Sequence, residues 1–295
     1  MNSALIRLNK RGILATDIAE QFWCERQMEY GYLYGKERTQ YMKTGSNIHK
    51  KLEEKVRVEV DATPLNYADF LCKESYENYM SLLSLTEKGV GREIKIYGSV
   101  NGYRLSGKID ELKMLDGKTT VVEVKTKARN GSLRSGSSSS GVSNSSMRRH
   151  KVQLMLYKKM LDDVKSGAYS FDNFKKIYGI EKMTLTDQFT KQLQMLNIEE
   201  KFINLDSSYE LMFNELKLLP EISNEMELRY IDQHSGEVFS STTLTYDKEE
   251  MDKDLGFVLE YWNGGREALP VPESEKWKCN FCRFFGKECK VWYNV

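Results

Sequence analysis

The chain has 295 residues, 40% hydrophobic and 29% charged, and no apolar run of about 18 residues, which excludes a membrane protein built on apolar helices. An aromatic content of 11% exceeds what disordered chains carry, and five cysteines without an apolar leader argue against a secreted disulfide scaffold, so a reducing, intracellular setting is expected. The net charge of +1 hides an asymmetry: Val124 to Met160 holds nine Lys or Arg and no acid, whereas Glu181 to Glu260 holds 18 acidic and 7 basic residues. The first of these segments is expected to attract a polyanion.

In chain order, the first dozen residues carry Arg7, Lys10 and Arg11 and no acid, a composition shared with organelle-targeting segments; mitochondrion and nucleus are the expected destinations. Thr16 and Asp17 read as a helix N-cap, with Glu20 closing a capping box, for a helix reaching about Tyr34. Helical spacing continues from about Gly45 to Val60 and from Tyr67 to Leu85. The period then becomes β-like: Arg92 to Val100, Tyr103 to Leu112 and Thr119 to Lys127 read as three antiparallel strands joined by Asn101-Gly102 and Asp116-Gly117 turns. Residues 129–146 have the Ser/Gly-rich composition of a flexible loop, native or engineered. Beyond it we predict a helix from about Arg149 to Lys165, a hairpin of Met226 to Asp232 with Glu237 to Tyr246, and a helix from Lys248 to about Trp262 ended by Gly264-Gly265.

Chemistry concentrates on the second and third strands. Period 2 places Glu123 and Lys125 on one face of their strand, with Val122 and Val124 turned to the core, and Asp110 lies one strand away. Hard carboxylate oxygens of this kind suit Mg²⁺ or Mn²⁺, and a lysine beside them suits hydrolysis of a phosphodiester. His49 follows Gly45 by four residues near a helix start and offers a nitrogen ligand, while Gln153 and Tyr157 share one helix face. Cys279, Cys282 and Cys289 cluster near the end, and Cys24 stands far upstream; together they make a Cys₄ set for zinc or an iron-sulfur cluster that staples the chain ends. Cys72 reads as a buried small hydrophobe. Tyr30, Tyr32, Tyr34 and Tyr41 are candidates to stack on unpaired bases, although their spacing suits packing better.

The order Gly-x3-His, GKIDEL, VEVK, Gln-x3-Tyr resembles RecB-type nucleases of the PD-(D/E)xK superfamily, with Lys108 and Ile109 standing where the name-giving proline would be. One cysteine before these motifs and three after them, with the wording TDIAEQFWCERQ, GSNIH, VVEVKTKAR, HKVQLMLYK and EKWKCNFC, is most similar to the exonuclease V family. The resemblance implies an α/β fold with a restriction-endonuclease-like mixed β-sheet flanked by helices, as a single domain over residues 1–295. It implies Asp110 and Glu123 as metal ligands, His49 and Val124 as further members of the metal shell, Lys125 as catalytic lysine, and Gln153 with Tyr157 as an accessory pair. It also implies a 4Fe-4S cluster on Cys24, Cys279, Cys282 and Cys289, and Mg²⁺ or Mn²⁺ at the active site. The expected activity is cleavage of single-stranded DNA from an end, in genome repair or maintenance, by a monomer that works beside a single-strand-binding protein. The alternatives are an endonuclease of the same fold, of the CRISPR-adaptation or flap type, and a non-catalytic DNA-binding protein.

Overall fold

Two glycine turns organise the sheet in this computed structural model, which describes residues 3–37, 39–54, 59–128 and 144–292. The chain opens with helix α1 (Ala4–Arg7), strand β1 (Ile13–Leu14) and helices α2 (Ala15–Leu33), α3 (Gln40–Glu53) and α4 (Tyr67–Lys88). Strands β2 (Val90–Val100), β3 (Tyr103–Leu115) and β4 (Lys118–Lys127) follow as antiparallel neighbours. In both connecting turns the two central residues have positive φ, 48° and 77° at Asn101-Gly102 and 50° and 73° at Asp116-Gly117. That is the turn geometry whose twist matches the strands. Each turn sets a register: Val100 pairs with Tyr103, and Leu115 with Lys118.

The second half comprises α5 (Asn144–Ser166), α6 (Phe171–Tyr178), α7 (Asp187–Met195), α8 (Leu205–Leu218), the hairpin β5 (Glu225–Asp232) and β6 (Val238–Thr245), α9 (Lys248–Trp262) and a 3-10 turn over Glu273–Phe281. β4 pairs with β5 in parallel, as β1 does with β3, so the six described strands form the expected mixed sheet. Helix α5 is its central support: Val152, Leu154, Met155, Leu156 and Leu161 are all fully buried. A helix that is apolar on several sides must be covered on several sides.

Several boundaries differ from the sequence reading. Leu14, not Thr16 or Asp17, occupies the cap of α2, and its N–H donates to Asp17 Oδ2 at 2.9 Å; Asp17 sits at the third helical position, where a carboxylate reaches back best. Glu20 accepts a hydrogen bond from Arg149 instead. α2 is also broken at Cys24, whose backbone is extended (φ −168°, ψ 113°). α3 begins before Gly45 and ends at Glu53. Of the expected Ser/Gly loop, residues 129–143 lie outside the described residues and residues 144–146 already belong to α5.

The charge asymmetry is partly consumed inside the fold. Arg148 pairs with Glu250 and Asp254, and Lys151 with Glu250, so basic α5 docks on acidic α9. Arg7 pairs with Glu29 and Lys10 with Asp17, while Ala4, Leu5 and Leu8 are buried, which builds this basic N-terminal stretch into the core.

Candidate active site

The β3–β4 ladder ends at the pair Glu111–Val122, and the next register mates are Asp110 and Glu123. Where the ladder stops, Asp110 Oδ2 accepts the Val124 N–H at 2.8 Å, a side chain replacing a strand partner. On the other side of β3, Arg92 pairs with Glu111 and Ile94 with Ile109, which sets Glu93 opposite Asp110. Three carboxylates thus stand in one row across three strands. Adjacent like charges destabilise a sheet, and Glu93 also has a left-handed backbone, φ 55°, worth about 1–3 kcal/mol of strain for a residue with a Cβ. Glu93 pairs with Lys108.

Helix α3 reaches this row because Gly45 lets it. A Cβ on Gly45 would lie 2.5 Å from Thr126 Oγ1, so a larger residue would lift the helix from β4. One turn later His49 Nδ1 stands 3.8 Å from Asp110 Oδ1 and 4.0 Å from Glu93 Oε1. Ile48 and Leu52 pack on Val122, Val124 and Ile231. The two valines therefore do not enter the main core as expected; they seal a small separate cluster against α3, and the Val124 backbone lies in the cleft beside Asp110.

Helix α5 holds the lysine. Lys125 Nζ donates to Glu123 and, at 3.3 Å, to Gln153 Oε1, while Gln153 Nε2 donates to Tyr157 Oη at 3.0 Å. This geometry makes Gln153 a clamp on the strand bearing Lys125. Tyr157 is buried over Gly107, where an added Cβ would come within 2.4 Å of its ring. The predicted site residues His49, Asp110, Glu123, Val124, Lys125, Gln153 and Tyr157 all line one cleft of about 1260 Å³, with Glu93 among them.

Burial dominates the electrostatics of the cleft. Burial, together with the Asp110 charge, pushes the Glu123 carboxyl up to about 8 against the pull of Lys125. Burial also raises Asp110, opposed by Lys125, His49 and the Val124 N–H. For Lys125 burial is the largest single influence and favours the neutral amine, but Glu123 and Asp110 together outweigh it and hold the ammonium. Glu123 Oε2 is buried without a hydrogen-bond partner among the described residues. His49, Glu93 and Asp110 each present a ligand atom within 4.8 Å of the others. An orphaned carboxylate oxygen beside two carboxylates and an imidazole fits a hard divalent cation.

Glu93 was missed in the sequence although its signal was there: counting back along both strands from Asn101-Gly102 sets it opposite Asp110. Glu93→Gln is expected to raise the Mg²⁺ dissociation constant roughly tenfold while the fold persists. Isothermal titration of the variant with Mg²⁺ checks this, and an unchanged constant would remove Glu93 from the metal shell.

The four cysteines Cys24, Cys279, Cys282 and Cys289 line a second cavity, far apart in sequence but together in space. The break in α2 brings Cys24 there, and the Cys282 N–H donates to the Cys279 carbonyl at 3.0 Å in the turn between those thiols. Burial, with the Cys282 and Cys289 thiols, raises Cys24 to about 11. Cys72 is buried, its Sγ 3.1 Å from the Phe202 carbonyl oxygen.

The tyrosines divide. Tyr30 and Tyr34 pack edge-on or tilted against Phe284, and Tyr32 donates to Asp17, so these three serve packing; Tyr41 is exposed and lines the cleft.

Known proteins similar to this chain point to one family. The profile described as exonuclease V, a 5′ deoxyribonuclease, matches residues 5–130, 115–212 and 200–293. Exonuclease V of Danio rerio is 24% identical over 302 residues, spanning 96% of this chain and 71% of that protein. Two solved structures are more distant: SSO0001, at 13% identity and TM-score 0.45 over 93% of this chain and 84% of its own, and a candidate exonuclease from Eubacterium rectale, at 12% and 0.39 over 98% and 94%. With the profile spanning nearly the whole sequence, the chain belongs to the exonuclease V family.

Proposed function

We propose that the protein is a divalent-metal-dependent deoxyribonuclease that hydrolyses single-stranded DNA from a 5′ end. The observation that carries this reading is the carboxylate row with Lys125 held at its side, open to a cleft wide enough for a strand. Asp110, Glu123, His49 and Glu93 would hold Mg²⁺ or Mn²⁺, with the Val124 backbone beside them. When bound, the cation polarises the scissile phosphate and lowers the pKa of the attacking water. The Lys125 ammonium orients that water and offsets the charge that develops on the phosphoryl oxygens. Gln153 keeps Lys125 from folding wholly onto Glu123, and Tyr157 fixes Gln153.

The Cys24, Cys279, Cys282 and Cys289 set would carry a 4Fe-4S cluster with a structural role. Four thiols gathered on one cavity, with one before the nuclease motifs and three after them, support this reading, and no residue lines both that cavity and the cleft.

The test is a cleavage assay on a 5′-labelled single strand, the same strand blocked at both ends, and a single-stranded circle, each with Mg²⁺ or with chelator. Release of nucleotides from the free 5′ end alone, abolished by chelator, is the expected result. Cutting of the circle would replace this reading with the endonuclease one, and binding without turnover would leave a DNA-binding protein.

A further inference from the structure

We propose that an exposed aromatic face formed by Trp23, Trp277 and Phe281 stacks the bases of the unpaired strand next to the catalytic cleft, and so selects single strands. The inference rests on the nuclease reading and names its recognition surface. Two helices carry it. α5 sets Tyr157, Gln153, Arg149 and Ser145 four residues apart, on one face. At the inner end Gln153 holds Lys125. One turn outward, Arg149 donates to Glu20 at 3.1 Å and lies 5.4 Å from the Trp23 ring centroid. A further turn outward, Ser145 donates to Glu275 in the C-terminal 3-10 turn. α2 runs alongside in the opposite direction: Thr16 lines the cleft, Glu20 meets Arg149, and Trp23 follows about 10 Å along the axis.

From Trp23 the aromatic series continues to the surface. Trp277 stands edge-on to Trp23 at 5.7 Å, and Phe281 edge-on to Trp277 at 6.4 Å. Phe281 is 77% exposed and Trp277 39%, although both belong to a turn that buries Lys278. Lys278 Nζ donates to the Trp23 carbonyl at 3.1 Å and to Glu275 at 2.5 Å, which holds the base of the platform rigid. Exposed rings at fixed angles lose little entropy when a base lands on them.

An unpaired nucleic acid strand is the occupant these features select. The platform continues from the lysine-bearing cleft along one helix face, with Arg149, paired to Glu20, over the Trp23 ring and Lys276 exposed next to Trp277 in sequence. Every base has a π-face, so stacking tolerates any sequence, whereas duplex bases are already stacked and gain nothing.

The experiment measures affinity, in metal-free buffer, for a fluorescent thymidine strand and for a strand of the same length made of abasic sugar-phosphate units. Wild type, Phe281→Ala and Trp277→Ala are compared. Wild type should prefer the thymidine strand about tenfold, the effect of one to two base stacks. Each variant should shrink that preference to threefold or less, with affinity for the abasic strand unchanged. Phe281 is so exposed that its truncation leaves the fold intact. An unchanged preference overturns the proposal, as does a change only in sedimentation, which would make the face a contact between copies of the chain. Failure of the nuclease reading shows separately, as absence of Mg²⁺-dependent cleavage by wild type.

Discussion

Asp110→Asn is expected to abolish cleavage, with kcat/KM falling by at least about 10³-fold, the scale of the several kcal/mol that a catalytic metal supplies. The substitution keeps shape and leaves an oxygen to accept the Val124 N–H, so the fork between β3 and β4 survives. What is lost is one anionic oxygen facing His49 and Glu93. DNA affinity in metal-free buffer should stay within about threefold of wild type, because phosphate neutralisation comes from cations elsewhere. Release of nucleotides from a 5′-labelled strand measures the first effect and anisotropy the second. Activity within tenfold of wild type would overturn the metal assignment.

The same site makes stability depend on pH. Glu123 is raised to about 8 from an ordinary value near 4.5. Between those limits the folded chain binds more protons than the unfolded one, so this group's contribution to stability falls as pH rises. A divalent cation favours the ionised carboxylate and should reverse that fall, with its affinity increasing across the same window. Thermal unfolding at pH 5.5 and 8.5, with and without Mg²⁺, reads both. A metal-free protein equally stable at the two values would show that Glu123 is not held protonated.

The second large effect lies at the cavity lined by the four cysteines. Cys24→Ser should remove the visible absorbance of the cluster from anaerobically purified protein and lower the unfolding midpoint by about 10 °C or more. Cross-linking residues more than two hundred positions apart constrains the unfolded chain by about 5–6 kcal/mol, and each kcal/mol shifts a domain of this size by roughly 2–4 °C. The fold should nevertheless form. Arg266 and the Leu269 N–H both donate to Glu25, and the Arg26 N–H donates to the Leu269 carbonyl, so polypeptide contacts join the same segments. Cys72→Ala is the control, since Cys72 lies away from the cavity lined by the other four and its loss should leave the spectrum untouched. A colourless wild type containing stoichiometric zinc would defeat the cluster assignment.

The sheet and its chemistry were legible in the residues because both are local. Asn101-Gly102 and Asp116-Gly117 dictate two-residue turns, turns dictate register, and register alone aligns Glu93, Asp110 and Glu123 across three strands. Glu93 lies eight residues from its turn, at a place the turn's register fixes but no short motif marks. The Gly45-x3-His49 and Gln153-x3-Tyr157 spacings likewise needed only helical periodicity.

What no local rule contains is which surface meets which. That α2 breaks at Cys24 follows from the C-terminal segment bonding to Glu25, Arg26 and the Trp23 carbonyl, partners more than two hundred residues away. That part of the basic segment's charge is consumed inside the fold follows from α9 lying against α5. That Val122 and Val124 face a small cluster, not the main core, follows from α3 crossing β4 at Gly45. Periodicity determines which side chains share a face, but the neighbour of that face is chosen by the burial of the whole chain, and only the tertiary structure records it.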